Sequence, residues 1–356
     1  MPVRAAMSVR AGPLPPVRAA AAQRQGPAGS LRPLRGAALN TGARDVIISA
    51  SNLQKRFPAP WGSGGAPVKA VDGVDLEVAR GETLGLVGES GSGKSTLGRL
   101  LLRLLEADAG TIRFQNQDLT KLSSRRLRQL RPRMQIVFQN PYSALNPRMR
   151  VDRIIGFNIR AARQAGVDRR GRVAETLSLV GLDRDMLRRY PHQLSGGQAQ
   201  RVGIARALVS APSFLVADEP VSALDLSVQA EILNLFADLQ DRLNLACIFI
   251  SHNLQVVRHV AHRVAVMYEG RIVELGTREA VYEDPLHPYP RLLLSAIPTG
   301  TRSGDTSAAR SVRQRLKQEI RELGEQAALH EVRPGHSVAL RSTQIEQQRS
   351  LAVGQE

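Results

Sequence analysis

Gly88-Glu89-Ser90-Gly91-Ser92-Gly93-Lys94-Ser95 is the stretch on which the fold turns. Before it runs Thr83-Leu84-Gly85-Leu86-Val87, an apolar run that reads as a buried strand, and after it Thr96-Leu97-Gly98-Arg99-Leu100-Leu101-Leu102 reads as a helix. Strand, glycine-rich loop and helix in this order make a phosphate-binding loop. Gly88, Gly91 and Gly93 let backbone N–H groups turn inward, and the helix N-terminus adds the positive end of its dipole. Lys94 has the reach for β- and γ-phosphates, and Ser95 offers a hydroxyl to Mg²⁺. Residues Gly88 and Ser90 to Thr96 are therefore the candidate nucleotide contacts.

Working outward, Ser213-Phe214-Leu215-Val216-Ala217-Asp218-Glu219 is an apolar strand that ends in two carboxylates, at the edge where ligands bind in open α/β sheets. Adjacent acids there can divide the work, Asp218 facing Mg²⁺ and Glu219 acting as general base on the attacking water. A solvated acidic turn is the plainer reading; the phosphate-loop lysine upstream weighs against it. Leu194-Ser195-Gly196-Gly197-Gln198 by itself reads only as a loop before a helix.

The remainder of the sequence bounds the class. At 356 residues the chain can build one large or two modest domains, and its single cysteine, Cys247, leaves no partner for an intrachain disulfide. Cys247 falls in an apolar run, Leu245 to Ile250, where a thiol acts as a small apolar filler. No stretch is long and apolar enough to span a membrane. The net charge is +17, but residues 1–44 hold seven arginines and no acid, and the excess over residues 45–298 is a moderate +8. Arginine clusters at Arg125 to Arg133 and Arg169 to Arg172 lack interleaved aromatics, and the whole chain is 4% aromatic. That pattern favours a solvated or membrane-facing basic surface over nucleic-acid binding.

Residues 1–44 alternate Ala, Arg, Pro and Gly and are expected to be a disordered tail. Strand signals follow at Asp45 to Ile48, Val68 to Val78 and Gly110 to Phe114. From about Leu119 to Leu182 the chain reads as helical and Arg-rich, interrupted at Gln135 to Gln139, and beyond Gly197 helix and strand alternate, with runs at Phe214 to Ala217 and Cys247 to Ile250. A C-terminal extension covers 299–356, with Val312, Leu316, Ile320 and Leu323 forming the stripe of an amphipathic helix. Such a stripe serves more often to dock on its own domain than to meet a partner.

Taken in order, these motifs resemble the ATP-binding cassette family of transport ATPases, over about residues 46 to 297. The resemblance implies an α/β P-loop NTPase core spanning 45–298, with an antiparallel β-subdomain near its start and a helical subdomain at about 119–200 bearing the signature Leu194 to Gln198. It implies ATP and Mg²⁺ as cofactors. In such proteins Ser195, Gly196, Gly197 and Gln198 would clamp the γ-phosphate held by the opposite subunit's loop. Gln139 matches the glutamine that contacts Mg²⁺ and the lytic water. Asp225, in Ser222-Ala223-Leu224-Asp225, matches the loop crossing the dimer seam, and His252 matches the γ-phosphate sensor. Phe57 resembles the aromatic that stacks on adenine, with Trp61 a second candidate and core packing the alternative for either ring.

The chain departs from the family at Asn253, where Asp is common; an amide keeps a hydrogen bond but not a charge. Wording around the motifs resembles the dipeptide and oligopeptide importer branch: Gln139 to Arg148, Arg189 to Gln193, Asp218 to Asp225 and, most discriminating, Asp284-Pro285-Leu286-His287-Pro288-Tyr289. Many relatives of that branch carry a cysteine cluster after this last segment that suits an iron-sulfur site; no cysteine follows Cys247 here. The resemblance implies as partners two polytopic membrane permease subunits, a second ATPase subunit (the same chain or a homologue) and, indirectly, an extracytoplasmic solute-binding protein, with no nucleic acid. It implies a peripheral place on the cytoplasmic face of the inner membrane. Peptides, nickel, opines and glutathione all stay open as solute. The rival reading is a soluble non-transport or nucleic-acid-associated ATPase of the same family, disfavoured by the single cassette and the lack of sustained heptads.

Overall fold

The computed structural model describes residues 44–59, 66–161, 168–296, 306–323 and 328–340. Trp61, all but Arg44 of the expected N-terminal tail, and the last sixteen residues lie outside these segments.

The chain opens with a long antiparallel pair, β1 (Val46–Phe57) and β2 (Val68–Ala79), then passes through β3 (Thr83–Val87), α1 (Lys94–Leu101), β4 (Ala109–Phe114) and β5 (Gln117–Asp118). α2 (Ser124–Leu130) leads into β6 (Met134–Val137), and helices α3 (Pro141–Ala144), α4 (Val151–Ala161), α5 (Arg169–Leu179) and α6 (Gly196–Leu208) follow. Strand and helix then alternate through β7 (Phe214–Asp218), α7 (Leu226–Leu243), β8 (Ala246–Ser251), α8 (Leu254–Val260) and β9 (Arg263–Tyr268). The described chain closes with β10 (Arg271–Thr277), α9 (Arg278–Glu283), α10 (Pro288–Leu294), α11 (Thr306–Leu323), β11 (Ala328–Arg333) and β12 (His336–Leu340).

Two sheets result. The smaller is antiparallel in the order β2-β1-β4-β5, and the larger runs β11-β12-β10-β9-β3-β8-β7-β6. Strands β9, β3, β8, β7 and β6 are parallel, whereas β10, β12 and β11 add an antiparallel edge. Every residue of β3, β7 and β8 is buried, as strands covered on both faces require, and this is why their sequences are continuous apolar runs without alternation. Gly85 in β3 is fixed by closeness: a Cβ there would lie 2.2 Å from Val257 Cγ1, so only glycine lets α8 rest on the strand.

One core lies between the antiparallel sheet and the face of the large sheet that carries α1, uniting Ile48, Val71, Leu97, Leu101, Val216 and Ile250. The second fills the other face, where α4, α5, α6, α7 and α8 pack through Ile155, Leu177, Val202, Phe236 and Val257. The helical layer starts later than the sequence suggested. Leu119, Leu130 and Met134 are buried in the first core, so α2 belongs with the phosphate-loop side, and the helices facing the second core begin only after β6. Strands β9 and β10, and the hairpin β11–β12 in the C-terminal extension, were not anticipated. α11 does form over the amphipathic stripe. Leu316 and Leu323 are buried and Ile320 packs on the second core, but Val312 is 53% exposed and contributes nothing to docking. Leu323 joins Leu286, Val332, Val338 and Leu340 in a small cluster of their own.

Candidate active site

The phosphate loop leaves β3 and enters α1 through Gly93, which caps the helix at φ 102. A Cβ on Gly93 would come within 2.0 Å of Ala70 O on β2, so both the left-handed turn and the approach of β2 demand glycine. Gly91, at φ 84, differs: a Cβ there would meet nothing within 4 Å, so only the left-handed backbone favours glycine. Lys94 is buried, and its Nζ donates to Gly88 O (2.8 Å), Glu89 O (2.6 Å) and Ser92 Oγ (3.2 Å). Desolvation pushes the Lys94 ammonium below its ordinary range, while the carboxylates of Glu219, Asp218 and Glu89 pull it back up. A buried cation resting on neutral carbonyls is suited to exchange them for anionic oxygens.

The carboxylates arrive from the end of β7, next but one to β3 in the sheet. Ser95 Oγ donates to Asp218 Oδ1 at 2.7 Å, joining the two candidate Mg²⁺ ligands. Burial raises the Asp218 carboxyl above its usual range, opposed by the Ser95 hydroxyl and by Arg99. Glu219 follows in a left-handed conformation, φ 47, with its N–H donated to Ile250 O at 3.0 Å. That twist turns its side chain out of the sheet toward two neighbours: Gln139 Nε2 donates to Glu219 Oε2 at 2.9 Å, and His252 Nδ1 stands 3.3 Å from Glu219 Oε1. Asn253, the departure from the family pattern, caps α8 by accepting the Gln255 N–H at 2.9 Å, a task that needs no charge.

Lys94, Ser95, Gln139, Asp218, Glu219 and His252 thus converge at the carboxyl ends of β3, β6, β7 and β8. This donor set suits Mg²⁺ on a nucleotide: one hydroxyl, one carboxylate and a nearby amide, leaving the remaining positions to phosphates and water. Among the described residues no cluster of three or more His, Cys, Asp or Glu could hold a metal without such help.

Ser195, Gly196, Gly197 and Gln198 lie elsewhere, at the exposed start of α6. Ser195 Oγ accepts the Gln198 N–H (3.3 Å) and Gln198 Oε1 accepts the Ser195 N–H (3.0 Å), a reciprocal cap. A Cβ on Gly197 would sit 2.6 Å from Val228 Cγ1, so this turn packs directly on the start of α7. Asp225 caps α7 by accepting the Val228 N–H at 3.0 Å, which, with the Ser227 hydroxyl, lowers its carboxyl. The neighbouring Leu226 is 84% exposed. Tyr142 bridges the two regions: it follows Gln139 and donates its hydroxyl to Leu194 O at 2.9 Å. Phe57, at the end of β1 and paired in register with Val68, is 37% exposed with Lys55 Nζ 5.8 Å above its ring. Core packing is therefore not its role.

One contact at the site escaped the sequence reading: Tyr289 Oη accepts the Glu89 N–H at 2.9 Å. The only signal was the wording of the segment that contains it.

Comparison with known proteins places this geometry. Residues 71–222 match the family model described as ABC transporter. The oligopeptide transport ATP-binding protein OppF of Bacillus subtilis is 44% identical over 299 residues, covering 83% of this chain and 96% of that protein. The dipeptide transport ATP-binding protein DppF of Lactococcus lactis is 44% identical over 297 residues, covering 82% and 93%. Among solved structures, cbiO1 from Clostridium perfringens, part of the ABC transporter complex cbiONQ, superposes with TM-score 0.59 at 29% identity, over 67% of this chain and 92% of that one. The ATP-binding cassette MJ0796, in a dimeric post-hydrolysis state bound to ADP and Pi, gives TM-score 0.59 at 27% identity, over 65% of this chain and 99% of that one. By its motifs, its fold and these relatives, the chain belongs to the ABC transporter family.

Proposed function

We propose that this chain is the ATP-hydrolysing subunit of a peptide importer, working with separate membrane permeases. The observation that carries the reading is the position of Glu219, held between Gln139 and His252 beside the Asp218–Ser95 pair and the Lys94 ammonium. Glu219 takes the proton of the attacking water; Gln139 orients that water; His252 donates toward the γ-phosphate. Lys94 leaves the carbonyls of Gly88 and Glu89 for the β- and γ-phosphates. Ser95, with Asp218 and Gln139 close by, would hold Mg²⁺, which when bound would supply charge neutralisation to the phosphates.

The start of α6 packs against Leu224 and Val228 around the start of α7, a surface on which Ser195 and the 84% exposed Leu226 are open to solvent. This surface fits the phosphate loop of a second ATPase subunit, so that each ATP is shared between two chains. Tyr142 joins the Gln139 loop to the signature turn, giving permease contacts at that loop a route to both halves of the site. No described helix is long and apolar enough to cross a membrane, so attachment to a cytoplasmic membrane face would come through the permeases.

Peptide as solute rests on the relatives named for oligopeptide and dipeptide transport. The test is uptake into proteoliposomes that hold the permease subunits encoded beside this chain, with their solute-binding protein and internal ATP. Peptide-dependent ATPase and accumulation of labelled peptide are expected. Stimulation by nickel or glutathione and not by peptides would overturn the choice of solute.

A further inference from the structure

The Leu286-His287-Pro288-Tyr289 segment stood out in sequence, yet no chemistry was attached to it. In the structure Tyr289 is 1% exposed, with its hydroxyl against the Glu89 N–H at 2.9 Å. That N–H belongs to the Gly88–Glu89 peptide, whose carbonyl, Gly88 O, accepts from Lys94 Nζ at 2.8 Å. A trans peptide carries N–H and C=O on opposite edges of one plane, so a hydroxyl fixed to one edge aims the other. The pivot here is a glycine of necessity, since a Cβ on Gly88 would lie 2.1 Å from Met267 O. Without a side chain to hinder it, such a peptide turns easily unless something holds it.

We infer that Tyr289 is a positioning residue of the nucleotide site: by accepting the Glu89 N–H it sets the Gly88–Glu89 peptide and, through that carbonyl, the Lys94 ammonium. The hydroxyl is itself firmly placed. The Tyr289 ring packs on Tyr268 with centroids 4.5 Å apart, and the Tyr289 N–H is donated to His287 Nδ1 at 3.0 Å. Glu274, wholly buried on β10, accepts the N–H groups of Leu286 (3.1 Å) and His287 (2.7 Å), and lies 2.8 Å from His336 Nε2 on β12. The brace therefore runs from the C-terminal hairpin through Glu274 to the phosphate loop. Tyr289 acts through the loop backbone at Glu89. Its effect is preorganisation, which lowers the cost of binding nucleotide and leaves the hydrolytic step to Glu219.

This inference rests on the phosphate loop being the ATP site, and the experiment separates the two. Fluorescent mant-ATP and mant-ADP are titrated onto the full chain, its Tyr289→Phe variant and a Lys94→Ala control. Phenylalanine keeps the ring packing and removes only the acceptor. Loss of one buried hydrogen bond predicts a Kd about five- to tenfold higher for both nucleotides. In the assembled transporter KM for ATP should rise in step, with kcat within about twofold of wild type. Amide exchange at Glu89 should quicken in the variant, with a fall in Tm of no more than a few degrees. A Kd within twofold of wild type, or Glu89 exchange that does not change, overturns the assignment. Equal mant-ATP binding by wild type and Lys94→Ala would instead overturn the site reading, and the inference with it.

Discussion

Glu219 carries its carboxylate on a left-handed backbone, φ 47, in a residue type that disfavours it by roughly 1–2 kcal/mol. Strain of this kind persists where the surroundings hold it, here through the Glu219 N–H on Ile250 O and the Ser222 hydroxyl donating to Glu219 O at 3.1 Å. Glu219→Gln preserves shape and can still meet Gln139 but cannot take a proton. ATP should bind as before while phosphate release slows by about 10²- to 10⁴-fold, the usual loss for a positioned general base. Turnover near the wild-type rate would remove Glu219 from the mechanism. Cys247 shows the opposite case, a reactive group made inert. Burial pushes its thiol up to about 12, so the native protein should resist Ellman's reagent and react fully only once unfolded by guanidinium.

At the scale of elements, the N-terminal caps carry much of the site. Ser195, Asp225, Asn253 and His287 each open a helix and each lie in a motif that the sequence marked. His287 is the one whose cap depends on pH. Burial, reinforced by Arg291, lowers its imidazole to about 4, and the neutral ring accepts the Tyr289 N–H. The folded state then binds this proton only below the range in which the unfolded chain does. Stability is complete above the unfolded value near 6.5 and is lost as pH falls toward 4, by about 3 kcal/mol in all and about 2 by pH 5. His287→Asn keeps an acceptor without the titration, so its fall in Tm between pH 7 and pH 5 should be several degrees smaller than that of wild type. Identical pH profiles would show that His259 and His262, also lowered by burial, dominate the acid loss.

The same scale shows what was legible in sequence. Strands β3, β7 and β8 were readable because burial on both faces forces continuous apolar runs, and the phosphate loop because Gly88 and Gly93 are fixed by backbone approach. The hairpin β11–β12 was not, since half of β11 is exposed and the register is set by docking on β10 through only two paired positions, Glu274 with Val338 and Leu275 with Ser337. Tyr289 was invisible as a site residue because the contact spans 200 residues of chain and no local pattern records it.

At the scale of the whole molecule, the Lys94 loop and the Ser195 turn belong to different surfaces, so one chain should hydrolyse ATP poorly. Ser195→Arg and Lys94→Ala subunits, each inactive with the permeases alone, should recover part of the ATPase activity when mixed, because one of the two shared sites is then whole. Mixtures no more active than either variant would argue against sharing. The sheet order carries a further consequence, for the birth of the protein on the ribosome. Strand β3, which leads into the phosphate loop, is made early, yet both of its neighbours, β8 and β9, lie more than 150 residues later in the chain. Parallel pairing over such separations is slow to form, since loop closure precedes any reward from contact. During translation Leu84, Leu86 and Val87 therefore emerge as an apolar strand with no partner to pair with, dependent on transient shelter until Ala246 to Tyr268 has left the exit tunnel.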